Sequence, residues 1–173
     1  MATYGSEYRV FRFDTLQIGE VGGTGLLGTT LNSIENIKKD SLVFDPGTQT
    51  IENHWVEDND FPDLTAQEPG EAMLEFAVTD MNPDLWALVT GGTTGATYFI
   101  APYTVTDVDP KSFVVRGKAN KGFSTKLDIT KAKLTVGGQL RFSKSEPGEL
   151  SIQAYVQRPD VETFPWKLAM ITA

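Results

Sequence analysis

The stretch EAMLEFAVTDMNPDLWALVTGG, Glu71 to Gly92, decides the fold, because it carries both the clearest strand pattern and the one convincing helix of the chain. Leu74, Phe76 and Val78 alternate with Glu75, Ala77 and Thr79, and a side-chain period of two places such a row on one buried face of a strand. Asp80 or Asn82 then offers a capping oxygen. Pro83 suits a first helical turn, where its missing N–H is not needed, and Gly91 suits the left-handed residue that closes a helix. The helix expected over residues 83–90 is short, about 12 Å long. Leu85, Leu88 and Val89 fall at i, i+3 and i+4, so their stripe, with Trp86 beside it, must dock on a sheet. An isolated helix of this length is marginal in water.

Length and composition set the frame. A chain of 173 residues, 40% hydrophobic, builds one core, so a single domain over residues 1–173 is expected. It has no cysteine, which excludes disulfides and thiolate metal sites. The start, MATYGSEYRV, lacks a basic segment followed by an apolar run, and no apolar run reaches the roughly 18 residues of a membrane span. A soluble protein made in a cytoplasm is expected. The net charge of −8 argues against a nucleic-acid binder, whose affinity comes from clustered Lys and Arg. That charge is unevenly placed: residues 1–70 hold 12 acids against four bases, and residues 71–173 hold 11 of each. Asp109 to Lys144 carries nine bases against two acids, a basic stretch opposite an acidic N-terminal region.

The rest of the chain reads as short strands between turns. Tyr8 to Ile18 is a strand with Phe11 and Phe13 on one face and Arg12 and Asp14 on the other. Gly23, Gly25 and Gly28 match the G-x-G-x-x-G spacing of a dinucleotide turn, but no helix pattern or parallel unit follows, so a surface loop is expected. Leu31, Ile34 and Ile37 fit either a helical turn or two or an irregular run into a strand. Leu42 to Phe44 and Thr48 to Val56 suggest a hairpin around Asp45-Pro46-Gly47, with Trp55 inward. Glu57 to Gly70 shows no periodicity, two prolines and five acids without a base, and reads as a long acidic loop.

After the helix, Thr93 to Gly95 reads as a turn, Tyr98 to Tyr103 as a strand bent at Pro102, and Asp109-Pro110 as a turn. Phe113 to Lys118 and Lys126 to Leu134 are strands, the latter with Leu127 and Ile129 alternating against Asp128 and Thr130. Gly137-Gly138 and Glu146-Pro147-Gly148 flank a short strand at Leu140 to Ser143. Leu150, Ile152, Ala154 and Val156 alternate in the next strand, and a last one covers about Phe164 to Ile171. Some nine or ten strands and one helix predict a mainly β protein. The architecture expected is an antiparallel β-sandwich or barrel with a flanking helix at about 83–90 and an acidic loop at about 57–70.

Chemistry is sparse. His54 is the only histidine and joins no Ser/Asp constellation, so no catalytic residue is assigned and no enzyme is expected. Zinc lacks ligands. Calcium has Asp58, Asp60, Asp63 and Glu68 crowded in one loop but not the spacing of an EF-hand, so no metal or cofactor is assigned. Trp55, Trp86 and Trp166 are expected in the core rather than as sugar platforms.

The order of these pieces resembles the major tail proteins that form the inner tube of long-tailed bacteriophages, a family akin to the tube proteins of contractile tails and type VI secretion. The likeness rests on Gly28-Thr29-Thr30 leading into Asn32 to Ile37, the acidic loop, LEFAVTD at Leu74 to Asp80 feeding NPDLWALVTGG, LDITKAKL at Leu127 to Leu134, and LSIQAYVQRP with its last strand. The resemblance covers most of the chain as pattern rather than as one diagnostic motif. It implies a structural virion protein, made in a bacterial host and without catalytic residues. Such proteins form hexameric rings that stack, with other tail proteins, into a conduit through which DNA passes without specific binding and without a membrane. An acidic tube repels DNA, and head-to-tail contacts propagate into rings or filaments. The alternative is a β-sandwich carbohydrate-binding or adhesin-type module, which predicts a monomer with an aromatic sugar-stacking face.

Within the tube reading the acidic loop is expected to reach a neighbouring subunit. Glu57, Asp58, Asp60 and Asp63 supply charge, and Phe61 and Leu64 supply apolar anchors. Lys118, Lys121 and Lys126 offer the opposite sign on the facing side.

Overall fold

The computed structural model describes residues 13–23, 25–48, 50–54, 64–68, 70–79, 82–103, 107–119, 122–137, 148–161 and 164–172, with 50–54 and 64–68 described through their backbone. In chain order the elements are β1 Phe13–Glu20, β2 Leu31–Ile34, β3 Val43–Asp45, β4 Thr50–His54, β5 Leu64–Glu68, β6 Met73–Val78, α1 Pro83–Thr90, β7 Thr93–Gly95, β8 Tyr98–Ile100, β9 Lys111–Gly117, β10 Phe123–Gly137, β11 Leu150–Val156 and β12 Trp166–Thr172. The protein is mainly β, every ladder is antiparallel, and α1 is the one helix among the described residues.

Eight strands share one sheet in the order β2-β1-β9-β10-β11-β6-β3, with β12 on β10. The long β10 organises it. β9 runs along one edge, while the other edge carries β12 on its first half and β11 on its second. Between Ile129, opposite Phe113, and Ala132, opposite Lys111, β10 takes in one residue more than β9. Such a bulge bends a strand and shifts its inward face by one, and the buried apolar set changes accordingly from Leu127 and Ile129 to Ala132 and Leu134.

The bent sheet folds over on itself. Phe76 of β6 and Phe113 of β9 meet in a T-shaped contact at 6.2 Å, although β10 and β11 stand between their strands in the sheet. Phe44 of β3 likewise meets Trp166 of β12 at 5.2 Å. The core lies between: Leu16, Ile18, Phe113, Leu127 and Ile129 face Leu74, Phe76, Val78, Leu150 and Ile152, all buried. Just beyond β2, Ile37 bridges to Val78; Lys38 N–H donates to Ala77 O (2.8 Å) and Thr79 N–H to Asn36 O (3.0 Å). The two ends of the sheet are thus tied at this bridge, and the Leu31–Ile37 run resolves as strand followed by bridge rather than helix.

α1 occupies the residues that its caps predict. Asn82 is the N-cap, its Oδ1 accepting from Asp84 N–H at 2.9 Å, and Gly91 closes the helix at φ 74°, donating to Ala87 O. Val89 is buried, while Leu85, Trp86 and Leu88 are half-buried against the core. Thr93–Gly95, expected as a turn, is instead β7, which pairs with β8; Phe99 of this hairpin packs on Trp86 at 5.7 Å. β8 ends at Ile100, short of Pro102.

Two further expectations change. Asp128 and Thr130, which alternate against Leu127 and Ile129 and would face solvent on a one-sided strand, are buried, and Thr130 N–H donates to Pro165 O of the chain leading into β12 (3.1 Å). Thr130 Oγ1 donates to Phe164 O (2.8 Å) and Ser112 Oγ to Thr130 O (2.7 Å), so these hydroxyls enter the interior with their hydrogen bonds satisfied. Asp45-Pro46-Gly47 does turn the chain, with Gly47 N–H donating to Asp45 Oδ1 at 2.9 Å, but the strands around it do not pair with each other. β3 pairs with β6 and β4 with β5. The strand expected at Leu140–Ser143, and Trp55, lie outside the described residues.

Candidate assembly surface

The second half of the expected acidic loop is strand β5, paired with β4 in a two-stranded sheet of its own. The registers of two ladders explain how it is built. β3 and β6 pair Val43 with Glu75 and Asp45 with Met73, while β4 and β5 pair Thr50 with Glu68 and His54 with Leu64. From Asp45 to Thr50 the chain advances five residues, and from Met73 back to Glu68 it retreats five, so one register runs through both ladders. Pro46-Gly47 interrupts the ribbon between the two ladders, beside Gly70, where proline cannot donate to a ladder. β3 to β6 is therefore one long hairpin. Its inner end, β3–β6, belongs to the main sheet, whereas its outer end, β4–β5, makes no extensive contact with another element among the described residues.

A cleft of about 840 Å³ opens at the other end of β3. Phe13, Leu127 and Leu168, from β1, β10 and β12, line its sheet side, and Ile37, Phe44 and Leu74 line the opposite side. Leu168 sits on the inward row of β12, opposite Leu127, yet is 58% exposed. The rim carries Lys38, Lys39, Arg116 and Lys118 against Asp40. Lys38 is held by Glu149 at 2.5 Å and Lys39 lies 4.0 Å from Asp40. Arg116 and Lys118 are exposed and have no ion-pair partner among the described residues.

Of the residues expected at a subunit interface, Glu57, Asp58, Asp60, Phe61, Asp63 and Lys121 lie outside the described residues. Leu64 opens β5 opposite His54. Lys118 is exposed just past β9 and on the cleft rim. Lys126 is already engaged, 2.8 Å from Asp128 on its own strand. Sequence reasoning missed the apolar cleft and Arg116. The available signal was the row Val115, Leu127 and Leu168, which pairs across three strands and ends on the exposed Leu168.

The glycine-rich stretch serves the fold. It joins antiparallel β1 and β2, not a strand and a helix, which removes the dinucleotide geometry. A Cβ on Gly28 would lie 2.1 Å from Glu20 O, and Gly28 N–H donates to the buried Ser112 Oγ at 3.0 Å. Trp86 and Trp166 are half-buried in ring contacts rather than displayed as sugar platforms. Among the described residues no cluster of acids or histidine is placed to hold a metal ion, and no helix is long and apolar enough to cross a membrane. The acids considered for calcium, apart from Glu68, lie outside the described residues. No protein-family model and no curated protein matches the chain.

Proposed function

We propose that this protein is a structural subunit that assembles with copies of itself, head to tail, into rings that stack as a tube, in the manner of the phage tail-tube proteins that its sequence resembles. One observation carries the reading: a single β-ribbon runs in continuous register from the main sheet into β4–β5, which makes no extensive contact with another element among the described residues. A two-stranded hairpin is marginal alone in water, so a ribbon of this kind gains its stability from a partner. Residues 55–63, which join its strands, carry Glu57, Asp58, Asp60 and Asp63 with no base. Such a segment meets repulsion from a chain of net charge −8 except where bases gather. A ribbon on one part of a subunit and a receptor on another make a heterologous contact, which propagates instead of closing on a pair. Within a tube, excess acid would let DNA pass without adhering, and the virion tail is the corresponding location. No catalytic or cofactor role is included.

Negative-stain microscopy of the concentrated protein tests this reading. Rings with a central hole, alone or stacked, are expected; uniformly dispersed single subunits at every concentration would overturn it.

A further inference from the structure

We propose that the cleft between the Phe13/Leu127/Leu168 face and the Ile37/Phe44/Leu74 face receives the acidic stretch Glu57–Leu64 of a second copy of this chain. The proposal rests on the self-assembly reading and adds where the ribbon docks.

Three observations select this occupant. The first is charge. Arg116 and Lys118 stand on the rim without an ion-pair partner among the described residues, and Lys39 has only a long contact with Asp40. Glu57, Asp58, Asp60 and Asp63 bring four carboxylates and no base. Complementary charge of this kind steers and orients a contact more than it tightens it.

The second is apolar fit. The cleft walls are aliphatic and aromatic, and Leu168 leaves more than half its surface in water at their edge. EDNDFPDL places Phe61 and Leu64 three residues apart around Pro62, and it is the acidic stretch of the chain that carries an aromatic ring between its carboxylates. Buried side chains of this size supply the affinity that exposed ion pairs do not.

The third is direction. Phe44 and Leu74, which line the cleft, pair with each other at the inner end of the ribbon. His54 and Leu64 pair at its outer end, ten residues further along each strand. At about 3.3 Å per residue an extended ribbon puts some 30 Å between the two ends. The His54–Leu64 end of the ribbon is therefore carried away from its own cleft, and the cleft of another copy is the receptor for the stretch that follows. Repeated from copy to copy, this contact is heterologous, and it closes into a ring or continues along a stack.

The test uses a fluorescein-labelled peptide of sequence EDNDFPDL, titrated with the full-length protein at concentrations where it is monomeric and followed by anisotropy. Two variants act on exposed positions: Arg116→Glu with Lys118→Glu, and Leu168→Asp. Far-UV circular dichroism and melting confirm that each is folded. Saturable binding is expected, weakened about tenfold or more by each variant, reduced by added salt, and lost when Phe61 and Leu64 of the peptide are replaced by Ala. Absence of saturable binding, or equal binding by the wild type and both variants, would overturn the proposal. So would a cleft that takes up a fluorescent fatty-acid probe but not the peptide, which would mark a small-molecule site. Tubes that form as readily from Arg116→Glu/Lys118→Glu as from the wild type would overturn the docking site and leave self-assembly standing. Peptide binding at the cleft by a protein that never forms rings or tubes would overturn the ring-and-tube reading and leave the cleft its ligand.

Discussion

Phe76 and Phe113 allow the folding-over of the sheet to be measured directly. Both rings are fully buried, and they meet 6.2 Å apart at 69°, although their strands are not neighbours. If the sheet lay open, β6 and β9 would be separated by two strands, roughly 14 Å at the usual spacing between neighbours, and the rings could not touch. Phe76→Leu and Phe113→Leu, singly and together, form a double-mutant cycle. Each single change removes part of a buried ring and is expected to cost about 1–2 kcal/mol, towards the low end for core truncations. An edge-to-face pair adds about 0.5–1.5 kcal/mol beyond the area it buries, so the double variant should lose less than the sum of the singles by that amount. Urea unfolding with an unchanged m-value reads these differences. Melting follows them at about 2–4 °C per kcal/mol for a chain of this size. Costs that add to within about 0.3 kcal/mol would refute the contact, and with it the arrangement of the two halves of the sheet.

Other expectations follow from single positions. Gly28→Ala puts a methyl group against the Glu20 carbonyl, 2.1 Å away, and should destabilise by about 1–3 kcal/mol in urea unfolding; a change below about 0.5 kcal/mol would show that the approach is not made. Val89→Ala removes two methyl groups from a side chain only 3% exposed and should cost about 1.5–3 kcal/mol, whereas Leu88→Ala, half-buried, should cost about 2 kcal/mol or less by the same assay. Replacing residues 55–63 by Asn-Gly keeps the β4–β5 pairing through a tight turn. It should give a protein with unchanged melting that no longer forms rings or tubes, and unimpaired assembly on a grid would remove the role assigned to that segment.

The helix was legible to the residue because its signals are local: Asn82, Pro83 and Gly91 lie within the element that they delimit. The alternation in β6 and β11 was equally plain, since each has one face in the core. β10 was harder. Its bulge moves the inward face from odd to even positions, and Thr130 on its other face is bonded by Phe164 and Pro165 from far along the chain, so Asp128 and Thr130 are buried although they alternate with the apolar row. The Asp45-Pro46-Gly47 turn misled for a related reason. Proline and glycine mark a hairpin end in most sequences, whereas here they interrupt a longer ribbon, and only the shared register of two ladders reveals it. β5 gives no period in sequence, because it is five residues long and flanked by acids and prolines. The charge half of the candidate site was visible as Lys118 and the acidic run. Its apolar half was not, because the cleft joins residues from both ends and the middle of the chain.

The native mass of the purified protein as a function of concentration, followed by sedimentation, bears most directly on self-assembly. Self-assembly into stacked rings predicts that the 19.0 kDa chain gives way, as concentration rises, to a discrete species near six times its mass and then to longer stacks. A single 19.0 kDa species throughout the accessible range, or a closed dimer that grows no further, would contradict it.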